Sequence, residues 1–134
     1  MDLLFQLGNA VALISWIVLL LLPKKNNIIG VLQYGSITLL AIAYVVLIAP
    51  LLADFQPDQF STLENVQQLF SEDRMLIAGW YHYLAFDLFI GIYIVKAGIQ
   101  QNWKRWQYTL CLPFTFLFGP VGLLVFYLIK LFKK

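Results

Sequence analysis

The stretch MLIAGWYHYLAFDLFIGIYIVKAG, residues 75–98, decides how this chain folds. A membrane-spanning helix needs about 20 mostly apolar residues at about 1.5 Å rise each, and this segment meets that length with one carboxylate, Asp87, near its middle. A carboxylate at that depth costs about 2.5–3.5 kcal/mol on insertion scales, so such residues face protein or water and tend to mark function. Asp87 is therefore the first residue that needs an explanation.

Three further stretches have the same character, Leu3–Leu22, Ile28–Leu52 and Gln107–Leu131. With Met75–Gly98 they consume most of the 134 residues. The expected architecture is all-α, a single integral membrane four-helix bundle over residues 1–134, with antiparallel neighbours because the outer connections are short. The first segment reads as retained rather than cleaved: its first charge is Asp2, its apolar run is full length, and Pro23-Lys24-Lys25 ends it.

Composition closes several routes. The chain is 61% hydrophobic and 12% charged, with one cysteine and one histidine. A lone Cys111 excludes an intrachain disulfide and Cys-x-x-Cys redox chemistry. A lone His82 cannot build a histidine-rich iron site within one chain, and no metal site is expected. The net charge of +2 is small and its cations hug segment ends, which fits membrane lipids as partners and argues against nucleic acid.

The middle connection, Ala53–Arg74, holds Asp54, Asp58, Glu64, Glu72 and Asp73. Within it Ser61-Thr62-Leu63-Glu64 fits a capping box, and Leu63, Val66 and Phe70 form an apolar stripe. A short amphipathic helix over about 61–72 is expected between helices 2 and 3, resting on the bilayer interface or closing the bundle mouth. In a four-span bundle Lys24, Lys25, Lys96, Lys104 and Arg105 fall on one side and Arg74, Lys130, Lys133 and Lys134 on the other, so flanking charge assigns no orientation. Pro113 and Pro120 predict a kink in the last segment, with Gly119-Pro120-Val121-Gly122 turned towards the bundle or a cavity.

At about 100° per residue, Trp80, Tyr83, Asp87, Gly91, Ile94 and Gly98 share one face of the third segment. Gly91 and Gly98 notch that face for a neighbouring helix or for a homo-oligomer contact. His82 lies on another stripe with Phe86, Phe89 and Tyr93, about 140° around and about 7.5 Å along the axis from Asp87, too divergent for a direct dyad. No Lys or Arg matches the depth of Asp87, so it is expected to be a protonated donor. Asn9, Ser15, Gln33, Ser36, Thr38, Tyr44, Thr115 and Tyr127 are its candidate partners. Asp87, His82 and Tyr83 are the candidate catalytic groups, with Trp80, Phe86, Gln33, Tyr44 and Pro120 as candidate substrate-lining residues. Helix packing and buried hydrogen bonds are the competing roles for all of them.

Ordered motifs carry a resemblance: Leu69-Phe70-Ser71, Trp80-x-His82, Asp87-Leu88-Phe89, Leu110-Cys111-Leu112 and Pro120-Val121-Gly122. Together the chain resembles the abscisic-acid-deficient-four-like family, four-helix membrane proteins linked in plants to formation of the carotenoid neoxanthin. The resemblance implies a role in carotenoid metabolism, on an epoxidised or hydroxylated carotenoid or another isoprenoid, in a bacterial, cyanobacterial or plastid membrane. Violaxanthin to neoxanthin is an isomerisation that opens an epoxide and forms an allene without net redox change, so no cofactor is implied. In that chemistry Asp87 would protonate the epoxide oxygen while His82 or a tyrosine removes a carbon-bound proton. The alternative is a non-catalytic carotenoid- or lipid-binding or assembly protein. A carrier fits less well, because no internal repeat is evident.

Overall fold

The computed structural model describes residues 1–23 and 26–133. Lys24, Lys25 and Lys134 lie outside them. The described residues form α1 (Asp2–Leu21), α2 (Asn26–Val31), a π-helical segment (Leu32–Ser36), α3 (Ile37–Ala53), a 3-10 turn (Pro57–Phe60), α4 (Leu63–Phe70), α5 (Asp73–Gln100), α6 (Arg105–Thr109), α7 (Cys111–Phe118) and α8 (Pro120–Phe132). No strand occurs among them.

The organising element is α5, because its small and polar side chains let other helices approach from several sides. Gly8 and Gly91 make the contact with α1 close: a Cβ on Gly8 would meet the Tyr81 ring, and one on Gly91 would overlap the Trp16 ring. The Tyr81 hydroxyl donates to the Leu4 carbonyl at 2.7 Å and Trp80 Nε1 donates to Asn9 Oδ1 at 2.7 Å. Low residue numbers on α1 meet low numbers on α5, so the two helices run parallel.

The α2–α3 rod runs the other way. Near its far end Pro50 lacks the amide that would bond the Val46 carbonyl, a loss that is costly away from water. Arg74 replaces it from α5, its Nη2 donating to the Val46 carbonyl at 2.8 Å and its Nε to the Leu47 carbonyl at 2.7 Å. At the other end Lys96 Nζ donates to Gln33 Oε1 at 3.1 Å. Outward residues of these helices, such as Ile14, Ile17, Ile42 and Val46, are exposed, as lipid-facing surfaces would be.

The last apolar segment departs from the expected fourth span. Three helices, Asp2–Leu21, Asn27–Ala53 and Asp73–Gln100, are long and apolar enough to cross a membrane. The fourth segment is broken into α6, α7 and α8. Gly98 receives the Tyr108 ring, where a Cβ would sit 2.7–2.9 Å from ring atoms, so α6 starts back along α5. The chain then reverses at Gly119-Pro120 instead of kinking. Proline stands at the first position of α8, where its missing amide costs nothing, and Gly122 has no Cβ to keep α8 off Thr115. Phe126 consequently packs on Trp103, in the α5–α6 connection, with centroids 5.1 Å apart, and Lys133 Nζ lies 5.1 Å from the Trp103 ring centre. The helix α8 ends where α6 began. Length and hydropathy alone predicted four helices because an apolar hairpin and an apolar span have the same composition.

This reversal also re-sorts the charges. Lys130 and Lys133 move to the end that carries Lys96, Lys104 and Arg105, leaving Arg74 as the one described Lys or Arg side chain at the opposite end. Every acid except Asp87 lies at that opposite end, on the start of α1, in the middle loop or at the start of α5. Arg105 closes the basic end by donating from Nη2 to the carbonyls of Leu20 and Leu21, each at 3.1 Å, the unsatisfied acceptors at the end of α1.

The loop helix is present but begins later than the expected capping box. The Ser61 hydroxyl is used in closing the 3-10 turn, donating to the Asp58 carbonyl at 2.8 Å. Thr62 is the N-cap instead, accepting from the Asn65 amide at 3.2 Å.

Candidate functional site

The middle of α5 presents two chemical faces. One is enclosed. Asp87, 5% exposed, points at the tip of the α7–α8 hairpin, and a Cβ added to Gly119 would fall on its carboxylate. One turn earlier the Tyr83 hydroxyl reaches the carbonyls of Leu117 and Phe116 at 2.9 and 3.2 Å, at the C-terminal end of α7. A hairpin tip away from water frees carbonyls at the end of one helix and amides at the start of the next. Tyr83 supplies a donor to the first set. Asp87 lies at the positive, N-terminal end of α8, beside the Gly119 amide. Asp87 Oδ2 has no protein partner among the described residues, so the carboxyl group retains hydrogen-bonding capacity that the fold does not use.

The second face is open. His82 is exposed and stacks on Phe86 with centroids 4.5 Å apart, while the Tyr44 ring of α3 lies 5.7 Å from it. His82 and Tyr44 border a groove of about 530 Å³, within the range of small-ligand sites. Its walls come from α3 (Tyr44, Ile48) and α5 (Gly79, Trp80, His82, Tyr83). Phe60, Leu69 and Phe70 of the middle loop and α4 close its upper end. Gly79 is what seats α4, since a Cβ there would meet Phe70 Cε1 at 2.6 Å. Below the groove Phe86, Phe89 and Tyr93 continue as an exposed aromatic stripe down α5.

The sequence-derived site residues thus divide. His82, Tyr83, Trp80 and Tyr44 converge on the groove, with Phe86 stacked beneath it. Tyr83 belongs to both faces and is the one candidate that connects them. Asp87 is close to Tyr83 but not among the groove residues. Pro120 is exposed at the hairpin tip, and Gln33 lies at the basic end against Lys96. Four of the expected partners of Asp87 are engaged elsewhere: Asn9 with Trp80, Ser15 with the Val11 carbonyl, Gln33 with Lys96 and Thr115 with the Cys111 carbonyl. Its actual neighbour, the backbone of Gly119, offers no side chain for a sequence reading to find. The groove roof was half visible, in the apolar stripe of the loop helix.

The family model of the ABA DEFICIENT 4-like proteins matches residues 3–126, from the start of α1 to the middle of α8. The chain belongs to the ABA4-like family. Neither a curated protein nor a solved structure gives a match. The matched region of this ABA4-like chain includes the groove, Tyr83, Asp87 and the hairpin tip, so all of the geometry above lies inside the shared family region. Membership relates the chain to neoxanthin and abscisic acid formation.

Proposed function

We propose that this ABA4-like protein acts within a membrane on an epoxidised or hydroxylated carotenoid, seating one ring end in the groove beneath α4 with the polyene leaving past Phe86. The observation that carries this reading is the groove itself: an apolar, aromatic cleft whose ionisable side chains are His82, Tyr83 and Tyr44. A ring with one oxygen function and a conjugated tail matches that distribution of polar and apolar surface.

The chemistry assigned to it is an epoxide-opening isomerisation. A proton is delivered to the epoxide oxygen and its C–O bond breaks, giving a hydroxyl. A proton leaves the adjoining polyene carbon, and its electron pair becomes the second double bond of an allene. Atoms and electrons balance with no redox partner. In this reading the imidazole of His82 takes the carbon-bound proton and a phenol, Tyr83 or Tyr44, gives the other. Asp87 serves through Tyr83, as an acceptor beside its hydroxyl, instead of meeting the substrate directly.

A second reading is favoured by the hairpin contacts. Tyr83 and Asp87 hold the two helix ends, and a protein that binds carotenoid without changing it needs no more than that. The test is expression in a carotenoid-producing bacterium supplied with epoxy-carotenoids, followed by pigment analysis of wild type, His82→Ala and Tyr83→Phe. New pigment with wild type alone, and unchanged pigment retained by the variants, supports the isomerase. Pigment bound but unaltered by all three supports the binding protein.

A further inference from the structure

The basic end of the chain contains a second site, separate from the carotenoid groove. Lys96 lies one turn before the end of α5, about 6 Å below it along the axis, a distance that a lysine side chain can span to reach the membrane border. Its one described hydrogen bond is to the neutral Gln33 Oε1 at 3.1 Å. No acidic side chain of the described residues lies at this end. The other cations there include Arg105, engaged by the α1 carbonyls, and Lys133, over Trp103. Lys96 is thus a cation near the end of α5 whose counter-charge the described residues do not supply.

Local structure supports a ligand at this point. Gln33 is carried by the π-helical segment, a deformation that costs regular hydrogen bonding and often accompanies functional sites. The Lys96–Gln33 bridge separates two clefts, both of which also touch Gln100. One, of about 310 Å³, adds Tyr34 and Gly30 at the outer rim. The other, of about 220 Å³, runs inward past Tyr93 and Phe89. A cation and amides lie at the surface level, with an aromatic cleft directly below. That order matches a phosphate group attached to an acyl chain. The described cations cluster at this end, and such a cluster beside membrane-length helices attracts anionic headgroups.

We propose that Lys96, Gln33 and Gln100 bind the phosphate of an anionic phospholipid, with an acyl chain descending the Phe89–Tyr93 cleft. The test is native mass spectrometry of the full chain in neutral detergent, titrated with phosphatidylglycerol, phosphatidylcholine or inorganic phosphate. Wild type should retain phosphatidylglycerol at least tenfold more tightly than phosphatidylcholine. Lys96→Gln and Gln33→Leu should abolish that preference, Lys96→Arg should keep it, and Lys130→Gln should leave it unchanged. Melting temperatures in phosphatidylcholine show whether each variant is folded, and Gln33→Leu against Lys130→Gln decides the matter if Lys96→Gln is not. Equal binding of both lipids, or loss of preference in Lys130→Gln to the same extent as in Lys96→Gln, overturns the site. Inorganic phosphate bound as tightly as phosphatidylglycerol overturns the lipid assignment.

Discussion

Tyr83 and Asp87, one turn apart on α5, address the two sides of a helix break: Tyr83 donates to the last carbonyls of α7, and Asp87 faces Gly119, the residue that precedes α8. This relationship gives the buried carboxyl group a structural partner, the backbone of Gly119. It also makes the pair testable as a unit.

Gly119→Ala should destabilise the protein by about 1–3 kcal/mol, because the added methyl runs into the Asp87 carboxyl group. In an Asp87→Ala background the same substitution should cost less, since the obstacle is gone. Reversible unfolding in mixed micelles measures both. Equal costs in the two backgrounds would show that the contact does not exist.

The hairpin itself is open to a topology measurement. Single cysteines at Asp58, Gln101 and Lys133, in a Cys111→Ser background, should label from opposite faces of sealed vesicles: Asp58→Cys from one, Gln101→Cys and Lys133→Cys from the other. A four-span bundle places Lys133→Cys with Asp58→Cys instead. Native Cys111 is buried, so its removal should leave the labelling pattern unaltered.

Arg74→Ala should destabilise by about 1.5–3 kcal/mol, the worth of hydrogen bonds from a charged donor. Pro50→Ala restores the amide that bonds the Val46 carbonyl, so Arg74→Ala should cost measurably less in that background. Chemical unfolding of the two single variants and the double variant decides it.

Glycines on α5 and α2 should respond with opposite signs. Gly91→Ala drives a methyl into the Trp16 ring and should cost about 1–3 kcal/mol. Gly30→Ala meets nothing within 4 Å and should stabilise by up to about 1 kcal/mol through helix propensity. Thermal shifts of the two variants, compared side by side, give the sign directly.

For the proposed chemistry, His82→Ala should lower conversion of an epoxy-carotenoid by about 10²-fold or more, the usual contribution of general base catalysis, with pigment binding retained. Loss of binding and conversion together would instead make His82 part of the groove wall. Pigment recovered per mole of protein separates the two outcomes.

Much of this was legible in the residues. Three long apolar runs with charges at their ends read correctly as membrane-length helices, and the notch at Gly91 and Gly98 on α5 was visible from spacing alone. Their occupants, Trp16 and Tyr108, are long-range packing choices that no local pattern encodes. The hairpin was not legible, because Gly119-Pro120 in an apolar stretch suits a kink and a reversal alike, and the deciding contact is Gly122 on Thr115. The same error divided the cations between two faces. At the site, period 3.6 separated His82 from Asp87 correctly. It could not show that Tyr83 faces both ways, since that depends on where α3 and α7 arrive.

The central position of α5 has a consequence for how the chain enters a membrane. It is the least apolar of the three long helices, with mean hydropathy 1.4 against 2.1 for Asp2–Leu21 and 2.4 for Asn27–Ala53, yet it buries the largest share of its residues. The two more hydrophobic helices leave the ribosome first and partition into lipid on their own account. When α5 follows, Arg74, Trp80 and the Tyr81 hydroxyl meet waiting acceptors on α1 and α3 instead of bare hydrocarbon, and Tyr83 and Asp87 gain theirs when the α7–α8 hairpin arrives. The order of segments along the chain is therefore an order of assembly, in which the helix that binds everything together arrives after the lipid-soluble pair that makes its insertion affordable.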